Sequence, residues 1–190
     1  MELATLLERC RAGNELAWEA LVRGNQGRVY GLAIHYLGDP EEARDVAQEI
    51  FVRIFRKLDD CTDDTRFVPW MLRIARNACI DHIRRRKARP PARDLPAEDV
   101  HDLASSLPSP DEALYDDARK RLVHQGIQSL GELNREIIVL KDIQGLSLEE
   151  ISQMLRIPLG TVKSRCNRAR LELARKLTAL SGRYGTEHIG

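Results

Sequence analysis

Aromatic residues are scarce in this chain: Phe, Tyr and Trp together make up 5% of 190 residues. Few β-branched or aromatic residues alternate with polar ones, so the two-residue period of a half-buried sheet is missing. The expected fold is all-α. Cysteine is also thin. Cys10, Cys61, Cys79 and Cys166 are scattered, with no CxxC pair. Cys79 and His82 stand three apart, but two ligands do not make a zinc site. No metal is expected, and four reduced thiols suit the cytoplasm. No stretch approaches the roughly 20 apolar residues of a membrane span. The start, "MELATLLERC", turns acidic at once and lacks the apolar run of a signal peptide. A Gly-rich phosphate loop and a converging nucleophile–base set are both missing. An enzyme with a catalytic residue or a cofactor is therefore not expected.

Net charge is nearly absent too, at +1, but the distribution is uneven. Residues 84–93, "RRRKARPPAR", hold six basic side chains and no acid. Residues 94–117 hold eight acids and no Lys or Arg. Residues 160–176 hold six basic residues against Glu172 alone. A neutral sum built from opposed blocks predicts separate basic surfaces joined by an acidic spacer.

Five of the eight prolines fall between Pro90 and Pro110, among Asp, Glu and Ser. Such a segment buries too little surface to offset its ordering entropy. It predicts a linker over 89–110 between helical domains at 1–88 and 111–178, with a frayed tail at 179–190. Four helices are expected in the first domain. One runs from Leu3 towards Gly13. A second carries Trp18, Leu21, Val22, Val29, Leu32, Ala33 and Tyr36, with Gly24 and Gly27 as sites for a kink and Gly38-Asp39-Pro40 as its stop.

The third, "PEEARDVAQEIFVRIFRKL", has acids in its first turn and bases in its last, matching the helix dipole. Val46, Ile50, Ile54 and Leu58 form its apolar stripe, which Ala47, Phe51 and Phe55 are expected to widen. Asp45, Gln48, Glu49, Val52, Arg53 and Arg56 lie opposite. After the polar loop "DDCTDDTR", a fourth helix starts near Phe67, because Pro69 fits only in a first turn. It turns Phe67, Met71, Ile74, Ala75 and Ala78 inward and presents Arg73, Arg76, Asn77, Asp81 and Arg84.

In the second domain, Leu114, Ala118, Leu122 and Ile127 mark one helix. Leu133, Ile137, Leu140 and Ile143 mark another, with Gly145 as its cap. Ser147 and Glu150 form a capping box. The short helix it opens faces Leu148, Ile151 and Leu155 inward. After Ile157-Pro158 a last helix runs to about Leu177 with Val162, Cys166 and Ala169 inward. This is a helix-turn-helix pattern. Its second helix presents Thr161, Lys163, Ser164, Asn167 and Arg168. Basic and amide groups suit base edges and phosphates, with Arg or Lys to guanine and Asn to adenine. A solvated face would mix Glu with Lys, whereas the first three turns here hold no acid.

Taken in order, "RAGNELAWEALV", "VYGLAIHYLGDPEEARDVAQEIFVRIFRKL", "FVPWMLRIARNACIDHIRRR", "REIIVLKDIQGLSLEEISQMLRIP" and "GTVKSRCNRAR" resemble the segments of an extracytoplasmic-function sigma factor. That family is the small two-domain sigma of bacterial RNA polymerase. The resemblance spans about residues 1–88 and 111–178. It implies sigma domain two, sigma domain four, and a linker running near the RNA exit path. It further implies that Asp45, Gln48, Glu49, Arg53 and Arg56 dock on the clamp helices of core polymerase. Cys61, Thr62, Arg73, Arg76, Asn77, Asp81 and Arg84 would hold the −10 element as a single strand. Thr161, Lys163, Ser164, Asn167 and Arg168 would read the −35 element as duplex.

An anti-sigma factor is a further implied partner, and direct membrane insertion is not. Departures from the family's usual residues fall at Cys61, in the loop assigned to the flipped base, at Pro69, and at Ser152, Arg156 and Cys166, where they are expected to loosen the small domain.

Separating about 12 base-pair steps at ~1.4 kcal/mol each costs roughly 17 kcal/mol. Stacking a captured base returns only about 1–3 kcal/mol. A partner must therefore supply most of the opening energy. The alternative reading is a stand-alone helix-turn-helix regulator that binds DNA as a dimer, but no coiled-coil heptads are present to serve it.

Overall fold

A computed structural model describes residues 2–88 and 120–186, with the side chains of 181–186 left out. The expected linker at 89–110, and Leu114 and Ala118 beyond it, lie outside the described residues. The chain divides into two compact units, one N-terminal and one C-terminal. Both are helical, with no strand among the described residues.

In the first unit, α1 covers Leu3–Arg11 and buries Leu7 and Cys10. Gly13, at φ +79°, turns the chain into α2, Glu15–Leu37. The Asn14 side chain accepts from Ala17 N at 2.9 Å and caps that helix. α2 passes Gly24 and Gly27 without a break and ends at Gly38 in the left-handed region, φ +76°. Asp39 then caps α3, Pro40–Arg56, by accepting from Glu42 N at 2.8 Å, and Pro40 occupies a first-turn position where no donor is lost.

Two 3-10 turns, Leu58–Asp60 and Asp64–Arg66, lead into α4, Phe67–Ala88. Pro69 sits in the first turn of α4, as its chemistry requires. α2, α3 and α4 pack against one another around Leu21, Leu32, Ile50, Ile54, Phe67, Met71 and Leu72. Each such fully buried side chain contributes about 1.5–3 kcal/mol.

Two expectations for this core fail. Phe55 does not widen the buried stripe: it is 56% exposed and rests edge-on against Trp18, with ring centroids 5.0 Å apart. Ile74 is only half-buried, and Leu72 and Cys79 fill the core side of α4 instead. The apolar residues of each helix span more than one face, and packing covers only one of them.

In the second unit, α5 covers 120–128 within the described residues. α6, Glu132–Ile138, continues into a π-helical turn over Val139–Ile143. A π turn holds about one more residue than an α turn. The step from Leu140 therefore falls short of the core side. Ile143, expected inside, is 46% exposed, and Gln144 is buried in its place. Gly145, at φ +78°, ends the segment as expected. Ser147 and Glu150 make the full reciprocal capping box at the start of α7, Leu148–Leu155.

α8 runs over Leu159–Thr186 and buries Val162, Cys166 and Ala169. The frayed tail expected from residue 179 is thus helical as far as Thr186. No helix among the described residues is long and apolar enough to cross a membrane.

Candidate nucleic-acid and partner interfaces

α3 presents Asp45, Gln48, Glu49 and Arg56 to solvent, with Arg53 half-exposed. Val52 and Phe55 stand exposed on the same helix. An amphipathic helix normally hides such side chains, so this outer face mixes charge with uncovered apolar surface.

The neighbouring face of α4 presents Arg73, Asn77, Asp81 and Arg84, while Arg76 is half-buried. The two sets meet. Arg53 lies 3.7 Å from both Glu49 and Asp81. Glu49 also reaches Arg85 at 3.6 Å, and Glu42 pairs with Arg86 at 2.8 Å and His82 at 3.7 Å. One line of ion pairs thus stitches α3 to the C-terminal half of α4.

The loop between them corrects one expectation. Cys61 is 4% exposed, and its Sγ donates to the Asp63 carbonyl at 3.6 Å. The thiol packs inward and is absent from the loop's outer surface, whereas Thr62 beside it is exposed. Burial pushes the thiols of Cys61 and Cys10 up, against the opposing pull of the Arg11 cation. Burial likewise pushes Cys79 up to about 12. Among the described residues no group of three or more His, Cys, Asp or Glu could hold a metal ion.

In the second unit the helix-turn-helix is α7, the turn at Arg156–Pro158, and α8. Arg156 takes φ +56°, the one non-glycine in the left-handed region among the described residues. Such a position costs roughly 1–2 kcal/mol. The Ser152 hydroxyl donates to the Ile157 carbonyl at 2.6 Å across the same turn. Two of the departures in this lobe therefore act together, since Ser152 ties the turn that Arg156 strains.

α8 exposes Lys163, Ser164, Asn167 and Arg168, with Thr161 half-buried. Ser164 and Arg168 share a local contact: the Arg168 guanidinium donates to the Ser164 carbonyl and hydroxyl at 3.3 Å. Arg170 is held elsewhere, by Asp142 on the π turn, with Nε to Oδ2 at 3.0 Å. It ties α8 to the π turn that follows α6.

Sequence comparison fits this division. The family model for sigma-70 region 2 matches residues 21–89, and that for sigma-70 region 4 matches residues 120–173. The chain belongs to the sigma-70 family. This sigma factor is 38% identical to the RNA polymerase sigma-H factor of Pseudomonas aeruginosa, over 92% of this chain and 93% of that one. It is 32% identical to the extracytoplasmic-function sigma-E factor of Escherichia coli K12, over 92% and 94%.

A solved structure of CnrH in complex with the cytosolic domain of CnrY aligns with a TM-score of 0.62 at 28% identity, covering 92% of this chain and 96% of that one. The sigma factor RpoE of Bartonella quintana, solved with the anti-sigma factor NepR, aligns at 0.66 and 21% identity, over 84% and 96%. At that identity it speaks to the fold alone. The match is to sigma factors of the extracytoplasmic-function type.

Sequence reading missed two features of this sigma factor. The apolar pair Val52 and Phe55 was divided between the polar face and the core. Arg11 carried no signal at all, because its partners lie 50 and 53 residues further along the chain.

Proposed function

We propose that this sigma factor docks on core RNA polymerase through the outer face of α3 and grips promoter DNA at two places. Asp45, Gln48, Glu49, Arg53 and Arg56, with Val52 and Phe55 among them, form the docking face. Thr62, Arg73, Arg76, Asn77, Asp81 and Arg84 hold the opened −10 strand. Thr161, Lys163, Ser164, Asn167 and Arg168 read the −35 duplex. Residues 1–88 act as domain two, 111–178 as domain four, and 89–110 joins them. The protein works in the cytoplasm and catalyses no reaction itself. An anti-sigma protein is a further partner, a reading supported by the CnrH relative, which was solved with the cytosolic domain of a second protein.

The observation that carries the proposal is the contrast between two exposed helix faces. On α3, acids and bases flank Val52 and Phe55, each about half exposed, as a protein partner requires. On α8, the exposed positions from Lys163 to Arg168 include no acid, as DNA requires.

The test is run-off transcription on a promoter library with core polymerase, with and without this chain. Specific transcripts only in its presence are expected. A chain that never associates with core polymerase would overturn the reading.

A further inference from the structure

Arg11 stands in the last turn of α1 and reaches the loop between α3 and α4. Its Nη2 donates to the Cys61 carbonyl at 2.7 Å and to Asp64 Oδ1 at 2.7 Å. The loop it holds has reason to move. Asp59, Asp60, Asp63 and Asp64 place four carboxylates in six residues, which repel one another. Asp63 is satisfied locally, accepting from Thr65 N at 3.0 Å and Thr65 Oγ1 at 2.6 Å. Asp64, in contrast, takes its bond from α1.

The Arg11–Asp64 pair is also better shielded than the exposed Arg23–Glu19 pair of this unit. Its side chains are 28% and 29% exposed, against 73% and 60% for Arg23 and Glu19. Shielded, charge-assisted bonds count for more than exposed pairs. α1 itself is fixed, because Leu7 and Cys10 are buried beneath it. Arg11 thus ties the outer part of the loop to a rigid support, while Leu58, Cys61 and Phe67 anchor it from within.

We propose that Arg11 is a positioning residue for strand capture, holding the loop over 57–66 in one shape so that Thr62 and the start of α4 meet an unpaired −10 base at a fixed place. The inference rests on the reading of that loop as part of the −10 grip. Preorganisation removes the ordering cost that a mobile loop would impose at the moment of capture. Selectivity among bases depends on that fixed geometry, because a loop free to shift accommodates wrong bases as well as right ones.

The experiment uses the full chain with core polymerase. Transcription is measured on promoters carrying each of the four bases at every −10 position. Affinity for core polymerase, thermal stability and discrimination at the −35 element are measured in parallel. Arg11→Ala is expected to lower discrimination at one or two −10 positions by about tenfold, the scale of losing a hydrogen bond to a charged group. Core affinity and −35 discrimination stay unchanged. Arg11→Lys restores part of the selectivity. Asp64→Asn, which keeps the shape of the side chain and the bond to Cys61, loses an intermediate amount and serves where Arg11→Ala fails to fold.

A merely structural role would lower output on all promoters together and leave −10 discrimination at the wild-type ratio, and that result overturns the proposal. Thr62→Ala separates the two levels. If it loses −10 discrimination while Arg11→Ala does not, Arg11 has no positioning role and the loop reading stands. If neither variant changes discrimination, the loop reading falls as well.

Discussion

Arg53 and Asp81 meet at 3.7 Å where α3 and α4 run side by side, joining a residue of the proposed docking face to a residue of the proposed strand-gripping face. Both side chains are substantially exposed, at 36% and 52%. Such a pair contributes less than about 1 kcal/mol and weakens in salt. A double-mutant cycle of Arg53→Ala and Asp81→Ala in urea denaturation is expected to give a coupling below that value at low salt and near zero at roughly 0.5 M salt. A coupling several times larger would mean that the pair is structural rather than available to partners.

Asn77 is exposed on the same face of α4 and carries no structural burden there. Asn77→Ala is expected to impair open-complex formation, read by permanganate reactivity of unpaired thymines, with polymerase affinity intact. Loss of polymerase binding instead would move this face from the DNA to the protein interface.

On α8, the charged residues are expected to divide. Lys163→Ala and Arg168→Ala weaken use of the upstream element, and removing either cation from a phosphate reduces the salt slope of duplex binding by about 0.9. Asn167→Ala costs about 1–3 kcal/mol at one base position and relaxes choice there. Arg170→Ala behaves differently: it releases Asp142, lowers the melting temperature of the second unit and leaves base preference alone. Titrations of a −35 duplex at several salt concentrations separate the three outcomes.

Ser147 and Glu150 satisfy each other's backbone donors at the start of α7. Ser147→Ala is expected to cost about 1 kcal/mol. The loss appears as a lower unfolding temperature of the second unit, with the first unit's transition unmoved.

Cys79 lies fully buried in α4 with a pKa pushed up to about 12 from an ordinary 9.0, chiefly by desolvation. The folded chain keeps this proton to higher pH than the unfolded chain does. Stability from the neutral thiol is therefore complete below pH 9 and is lost as pH rises from 9 towards 12. Cys10 and Cys61 shift in the same direction, again through burial. Thermal unfolding between about pH 7 and 11 is expected to show falling stability above pH 9, flattened in Cys79→Ala. At neutral pH the native thiols react slowly with a disulfide reagent, because the thiolate is the reactive form.

Much of this protein was legible in its sequence, because the rules involved act within a few residues. The 3.6-residue period of Val46, Ile50 and Ile54, the stop at Gly38-Asp39-Pro40, the caps at Gly145 and Ser147, and the inward set Val162, Cys166 and Ala169 are local in that sense. Local rules fix where helices begin, end and turn, and which residues α8 presents beyond the turn. They do not fix which of several apolar faces a neighbour will cover.

Tertiary packing decided that Phe55 stays outside against Trp18 and that a π turn brings Ile143 out and Gln144 in. It also decided that the Cys61 thiol points inward and that Arg11 closes on Asp64 from 53 residues away. Each of these depends on an element distant in the chain, whose arrival no spacing or composition announces.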